Sequence, residues 1–322
     1  MRAVRYDSYG PPDVLHVAEV EVPEPLAGEV RLRVEAASLN PLDWKLREGH
    51  LRFVPVFKSP PRITGCDVAG VIVAVGGGPG PRHVGERVFG SLSPLGREGS
   101  CAEFCVIGTH RIVPIPEGVD FATAAALPVA AGTAVQALAD EANLAAGQRV
   151  LVTGAAGGVG HFAVQYAKHL GAHVVAVCGP DNVDFVASLG ADRVVDYRAT
   201  DLTTLDETFD LVFDAANALD WHASRRLLVR GGLYLGTAGS ARSAVTTAIG
   251  GLLAPLAGGT RARNLTLRGN RQDLERLARL AAEGVLRPHV ARRIGLDEVA
   301  QAQAAMATGH GRGKIVVLPA GA

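Results

Sequence analysis

A glycine-rich turn set between an apolar run and a helical pattern constrains this chain more than any other stretch. Residues 149–153 (Arg-Val-Leu-Val-Thr) read as a strand, and Gly154-Ala155-Ala156-Gly157-Gly158-Val159-Gly160 follows directly. Val159, Phe162, Ala163, Tyr166, Ala167 and Leu170 then recur at three- and four-residue spacings, the period of a helix with one apolar face. A second apolar run over 173–177 closes a strand–turn–helix–strand unit, long enough for a parallel crossover. Glycine at such positions allows a tight turn, approach of the backbone to a pyrophosphate, and close packing of helix on strand. The helix N-terminus adds free amides and the positive end of a dipole. Ala155 stands where the strict G-x-G-x-x-G pattern has its first glycine. A turn with no nucleotide is the competing reading, but placement after a strand and before a helix favours dinucleotide binding.

The chain has 322 residues, 48% of them hydrophobic, enough for two cores. Lysine plus arginine and aspartate plus glutamate number 32 each, so the charge balance points to neither nucleic acid nor an anionic membrane surface. Residues 1–7 read as a charged edge strand and not as a signal peptide. The stretch 244–259, small and apolar, is broken by glycines and Pro255 and is too short to span a bilayer. Cysteines 66, 101, 105 and 178 form no C-x-x-C pair. They are expected to be reduced thiols in a cytoplasmic protein.

Short apolar runs at 30–36, 70–76, 85–90 and 102–106 make residues 1–124 β-rich. Alanine-rich helices are expected at 121–126 and 132–139, separated by Leu127-Pro128. Beyond 173–177, strands are expected at 193–196, 209–214, 232–236 and 265–268, with a helix at 218–229. Alternation of this kind over 125–270 means a Rossmann-type, doubly wound parallel sheet in an α/β protein. Helical spacing resumes from Gln272 and again over 296–307, and a glycine-flanked strand lies at 311–318. Residues 271–322 are expected to return and complete the first domain.

Six motifs occur in a specific order: Ser38-Leu39-Asn40-Pro41-Leu42-Asp43-Trp44-Lys45, Gly65-Cys66-Asp67-Val68-Ala69-Gly70, Val84-Gly85-Glu86-Arg87-Val88-Phe89-Gly90, Leu127-Pro128 with Gly132-Thr133-Ala134, the glycine turn, and Gly311-Arg312-Gly313-Lys314-Ile315-Val316. Together they resemble the medium-chain dehydrogenase/reductase superfamily over nearly the whole chain, in its zinc-free quinone oxidoreductase (zeta-crystallin-like) branch. The Asn40-Pro41-x-Asp43-x-Lys45 form is similar to the alkenal and enone reductases of that branch. The resemblance implies a GroES-like catalytic domain over 1–124, completed by 271–322, beside the Rossmann domain. Zinc alcohol dehydrogenases of the superfamily carry cysteine where Asn40 stands and histidine where Cys66 stands. An amide is no competent zinc ligand, and Cys101 with Cys105 cannot make a four-cysteine lobe, so no metal is expected.

Without a Lewis acid, the acceptor must stabilise incoming charge itself. Enones, alkenals and quinones do so by delocalising it onto oxygen. Asn40 and Lys45 are the candidate donors to that oxygen, though an asparagine before proline also caps turns and Lys45 also reads as a solvated charge. Asp43 is a candidate for the acceptor site or a helix cap. Phe53 and Phe57 could line an apolar acceptor pocket or lie in the core, and Arg47 and His50 are expected at the surface or pocket rim. Acceptor identity is expected to reside in loops around Phe53, 92–96 and 244–259.

Gly154, Ala155, Ala156, Gly157, Gly158, Val159 and Gly160 are expected to hold the pyrophosphate. The second strand runs into Cys178-Gly179 with no carboxylate at its tip, which permits a 2′-phosphate and so NADPH. By the resemblance Tyr197 contacts that phosphate, Thr133, Gly236, Thr237 and Asn270 lie near the nicotinamide half, and Lys314 reaches the cofactor from the C-terminal strand. The resemblance also implies a homodimer through the last Rossmann strand. Two other readings stay open: an enoyl reductase acting on thioesters or polyketide intermediates, and a non-catalytic, crystallin-like NADPH-binding protein.

Overall fold

The computed structural model of the 322-residue chain describes residues 1–77, 82–219, 221–237, 259–309 and 311–320. The expected loop at 244–259 lies outside them except for Gly259, as do Gly78 and Pro79. The chain divides into two units, Met1–Ala130 with Gly269–Ala322, and Ala131–Arg268. The boundaries expected at 124/125 and 270/271 thus move by a few residues. The helix Phe121–Ala125 stays with the first unit. The next helix, Pro128–Val135, spans the boundary, with Pro128 at its start, where a missing N–H costs nothing.

The second unit is a six-stranded parallel sheet in the order Arg193–Asp196, His173–Cys178, Arg149–Thr153, Phe209–Asp214, Leu228–Thr237, Arg261–Leu265. In chain order this is 3-2-1-4-5-6, the doubly wound topology whose switch point lies between the first and fourth strands. Its central strands are buried apolar runs, as parallel strands covered on both faces must be. The helix Gly160–His169 buries Phe162, Ala163, Val164, Tyr166 and Ala167.

Two elements of this unit differ from expectation. The helix expected over 218–229 is one short turn, Trp221–Ser224, followed by Arg225–Leu227 in 3-10 form; the chain then enters the strand Leu228–Thr237. Leu228, Leu233 and Leu235 are drawn into the sheet, and Gly231 takes a positive φ of 81° where the register shifts. The last strand is Arg261–Leu265, not 265–268. Arg268 instead pairs its backbone with the Gln136 side chain, whose Nε2 donates to Arg268 O at 2.7 Å while its Oε1 accepts from Arg268 N at 3.0 Å. Gln136 opens a π-helical stretch, Gln136–Glu141, where an ordinary helix was expected over 132–139.

The first unit holds a three-stranded sheet and a larger sheet ordered Val290–Ile294, Lys314–Val317, Glu29–Ser38, Asp67–Val75, Arg87–Ser91, Ile112–Pro114, with Phe104–Gly108 also pairing with Glu29–Ser38. The N-terminal strand Arg2–Tyr6 is not an edge: it lies between His16–Glu19 and Arg62–Ile63. Its alternating Val4 and Tyr6 enter a core shared with Leu32, Val68, Ile72, Ile112 and Val317. The strand Lys314–Val317 pairs antiparallel with Ala37 and Ser38, so the C-terminal segment completes this unit. The helix Arg271–Ala282 buries Leu274, Leu277 and Leu280, and Val299–Ala307 follows a 3-10 turn at Leu296–Glu298.

Candidate active site

In the first unit the candidate residues converge where Glu29–Ser38 ends and the helix Pro41–Arg47 begins. Asn40 is the N-cap of that helix and Asp43 completes a capping box, its Oδ2 accepting from Asn40 N at 2.7 Å. Asn40 is buried, and its amide is fully engaged. Its Nδ2 donates to Asp67 Oδ2 at 2.9 Å and lies 3.4 Å from Ser38 O; its Oδ1 accepts from Lys314 Nζ at 2.6 Å. The amide expected to donate to an acceptor oxygen thus directs its hydrogens at Asp67 and Ser38 within the chain.

Lys314 is buried as well, and its Nζ also donates to Leu39 O at 2.9 Å and lies 3.8 Å from Asp67 Oδ2. Within its own unit the ammonium points inward, at Asn40, rather than out from a strand edge. Asp67 further accepts from Ser38 Oγ at 3.1 Å and Val129 N at 3.1 Å. Burial pushes the Asp67 carboxyl up and the Lys314 ammonium down, while their mutual attraction and these donors oppose the shift.

Asp43 is the more perturbed group. Burial, with the Asp67 charge nearby, pushes its carboxyl up to about 7, against the Asn40 amide and Lys314. Among the described residues its Oδ1 makes no hydrogen bond of good geometry, with the Cys66 thiol beside the carboxyl, and Asp43 borders a small cavity of about 10 Å³ with Tyr6, Arg62 and Cys66. The same surroundings push the Cys66 thiol well above its usual range, so Cys66 is a protonated, unreactive thiol. Lys45 lies half-buried on the same helix, its Nζ 5.7 Å from the Trp44 ring, and burial lowers its pKa. Phe53, a candidate wall of the acceptor pocket, is 82% exposed, with the Arg52 guanidinium 4.6 Å over its ring. Phe57 is half-buried. Arg47, expected at the surface, is fully buried, held by Gln303 Oε1 at 3.0 Å and Gly10 O at 2.7 Å.

In the second unit the glycine turn has the geometry its composition implies. Gly154 has φ +60°, and a Cβ there would meet Ala216 at 2.8 Å. A Cβ on Gly160 would lie 2.1 Å from Gly154 O, so the helix can approach the strand only with glycine at that position. Ala155 N bonds back to Val177 O and Gly157 N to Gly154 O, each at 2.9 Å. The Gly158 and Val159 amides have no protein acceptor among the described residues. Partly exposed amides at a helix start fit a dinucleotide's phosphates. Ala155 and Ala156 are buried in the turn.

Cys178 is buried at the end of its strand, and Gly179 follows beside the Tyr197 ring, 3.5 Å from where a Cβ would sit. Tyr197 is 46% exposed. Thr133 is buried, while Gly236 and Thr237 end the strand Leu228–Thr237. Asn270 belongs to the first unit, where it caps the helix Arg271–Ala282 by accepting from Asp273 N at 2.9 Å. Among the described residues no group of three or more His, Cys, Asp or Glu could hold a metal ion, and no helix is long and apolar enough to cross a membrane.

Residues 26–117 match the alcohol dehydrogenase GroES-like domain, and residues 189–317 match the family described as zinc-binding dehydrogenase. The chain is 38% identical to the chloroplast envelope quinone oxidoreductase homolog of Arabidopsis thaliana, covering 99% of this chain and 98% of that protein. The chain belongs to the quinone oxidoreductase branch of the medium-chain dehydrogenase/reductase superfamily. It is 32% identical to the NADPH-dependent alkenal/one oxidoreductase, chloroplastic, of the same plant, over 99% of this chain and 80% of that one. The quinone oxidoreductase structure from Coxiella burnetii superposes with a TM-score of 0.87 at 29% identity, covering 99% of both chains. The fold is therefore that of nicotinamide-dependent dehydrogenases.

Sequence reading missed two carboxylates of this superfamily member. Asp67 sits in Gly65-Cys66-Asp67, where attention fell on the cysteine, and Asp214 ends the apolar run 209–214. A carboxylate closing an otherwise apolar strand is the signal that could have found Asp214, since an unpaired buried charge is untenable.

Proposed function

We propose that this chain is an NADPH-dependent reductase that delivers hydride to quinones or α,β-unsaturated carbonyls without a metal ion. The observation that carries this reading is the Lys314 ammonium 2.6 Å from Asn40 Oδ1. At the position matching a zinc-ligating cysteine in the superfamily's alcohol dehydrogenases, this chain has a neutral amide whose oxygen already serves a fixed cation. No thiolate or imidazole is offered there, and Cys66 holds its proton.

A reduced nicotinamide, when bound, supplies the hydride. The turn from Gly154 to Gly160 would hold its pyrophosphate by the free Gly158 and Val159 amides. Tyr197, beside Gly179, and the adjacent Arg198, both exposed, would take a 2′-phosphate. Cys178-Gly179 presents no carboxylate to repel it. On the acceptor side, Asn40 and Asp43 fix the start of the helix Pro41–Arg47, and that helix carries Lys45. Lys45, half-buried on that helix, is the candidate donor to charge developing on an acceptor oxygen. An acceptor that spreads incoming charge by conjugation needs no more than such a donor. The names of the relatives support the same acceptor classes.

The test is NADPH oxidation against a quinone, a cyclic enone, an alkenal, an enoyl thioester and a simple ketone. Turnover of the quinone, enone or alkenal with an inert ketone is expected; reduction of the ketone alone would refute the reading.

A further inference from the structure

Asp214 lies outside every residue assigned above, yet among the described residues of the second unit its carboxylate is the most heavily bonded. It is fully buried at the end of Phe209–Asp214. Oδ1 accepts from the Thr153 hydroxyl, from Ala218 N at 3.0 Å and from Ala216 N at 3.3 Å. Oδ2 accepts from Leu219 N at 2.9 Å and lies 3.2 Å from the Tyr234 hydroxyl, whose single proton it shares with Leu219 O at 2.9 Å.

The placement of these bonds matters as much as their number. Thr153 and Asp214 are register partners on adjacent strands, and those are the two strands that flank the topological switch point, where dinucleotides bind in this topology. Thr153 leads into Gly154, the first residue of the phosphate turn. Ala216, in the loop the carboxylate gathers, is the residue against which Gly154 packs, within 2.8 Å of a would-be Cβ. Tyr234 reaches the other flank: its hydroxyl lies 3.1 Å from where a Cβ on Gly236 would be.

The gathered loop is also strained. Asn217 has φ +54°, a left-handed conformation uncommon outside glycine. Such backbone persists only where surrounding bonds over-determine it, and it clusters at ligand sites. Here the amides on either side of Asn217 both donate to Asp214.

We propose that Asp214 is a positioning residue for the pyrophosphate–nicotinamide half of the cofactor, fixing the Gly154 turn, the 215–219 loop and Gly236 in one mutual geometry. This rests on the dinucleotide reading above. The carboxylate touches no cofactor atom; it acts through Thr153, Ala216 and Tyr234. The adenosine half, assigned to Cys178, Gly179 and Tyr197, lies at the ends of other strands, whose link to the turn is the backbone bond from Ala155 N to Val177 O, a bond the Asp214 side chain does not make.

The experiment uses that division. NADPH and adenosine 2′,5′-bisphosphate are titrated by calorimetry into wild type, Asp214→Asn, Thr153→Val and Tyr234→Phe. Asp214→Asn is expected to weaken NADPH at least tenfold while binding the bisphosphate within twofold of wild type. Thr153→Val and Tyr234→Phe, which leave the carboxylate its backbone donors, are expected to weaken NADPH by threefold or more with the same split. A folded Asp214→Asn that binds NADPH within twofold, or loses both ligands by one common factor, overturns the proposal. Should Asp214→Asn fail to fold, the two milder variants decide by the same criterion. A folded wild type that binds no NADPH would instead refute the cofactor reading itself.

Discussion

Lys314 Nζ donates to Asn40 Oδ1 at 2.6 Å across 274 positions of chain. The bond ties the C-terminal strand to the turn that starts the helix bearing Lys45, and it does so inside a buried cluster with Asp67 and Ser38. A buried ammonium and carboxylate are stable only together, since removing one strands the other in a poorly solvating interior.

Lys314→Met should therefore destabilise the fold by about 3 to 5 kcal/mol. Lys314→Met combined with Asp67→Asn should recover part of that loss, because the neutral amide removes the orphan charge while its single oxygen keeps accepting from Ser38 and Asn40. Urea denaturation of the two single variants and the double variant measures the coupling. Simple additivity would refute the pairing.

The Asp43 carboxyl carries a stability–pH signature whose sign follows from its direction. In the unfolded chain it ionises near 3.8, and in the fold only near 7. Between those values the folded state holds the extra proton, so stability falls as pH rises and the loss is complete above the folded value. Asp43→Asn keeps an acceptor for Asn40 N and removes the titration. Relative to it, wild type should lose roughly 1.4 kcal/mol per pH unit across that window. Parallel stability–pH curves would exclude a raised Asp43.

Lys45→Met is expected to lower kcat on an enone or quinone by about a hundredfold, the usual effect of losing one donor to a developing oxyanion. The KM for NADPH should hold, because Lys45 lies in the unit that lacks the glycine turn. Steady-state kinetics on the purified variant reads both numbers. An unchanged kcat would make Lys45 a surface charge.

Cofactor choice should follow Tyr197 and Arg198. Wild type is expected to prefer NADPH over NADH in kcat/KM, and Tyr197→Phe with Arg198→Ala should narrow the ratio by weakening NADPH alone. An equal loss for both nucleotides would place these side chains away from the 2′-phosphate.

Protein purified without added metal should contain far less than one zinc per chain and keep its activity in a chelator. Stoichiometric zinc in elemental analysis would refute the metal-free reading.

Much of this fold was legible locally. The strands Arg149–Thr153, Arg193–Asp196 and Phe209–Asp214 coincide with their apolar runs residue for residue. Arg149–Thr153 and Phe209–Asp214 are central and largely apolar because both their faces are covered, and turn residues bound all three. The glycine turn was equally readable, because each backbone demand there is met by a residue with no side chain to obstruct it. The local signal failed where a segment is polar and its pairing partners are distant in the chain. Arg261–Leu265 reads as a polar segment until Leu233–Thr237 supplies its register.

The site divides along the same line. Sequence alone placed Asn40, Asp43 and Lys45 in one short motif, with Asp43 a candidate helix cap, and determined that Gly154–Gly160 opens a helix, since a few adjacent residues encode caps and turns. Only the tertiary structure decided what those groups bond. It made Asn40 a link between Lys314 and Asp67, buried Arg47 against Gln303, and gave Asp214 its ring of donors. A buried polar group takes its partners from whatever long-range packing brings within 3 Å or so, and no spacing along the chain records that choice.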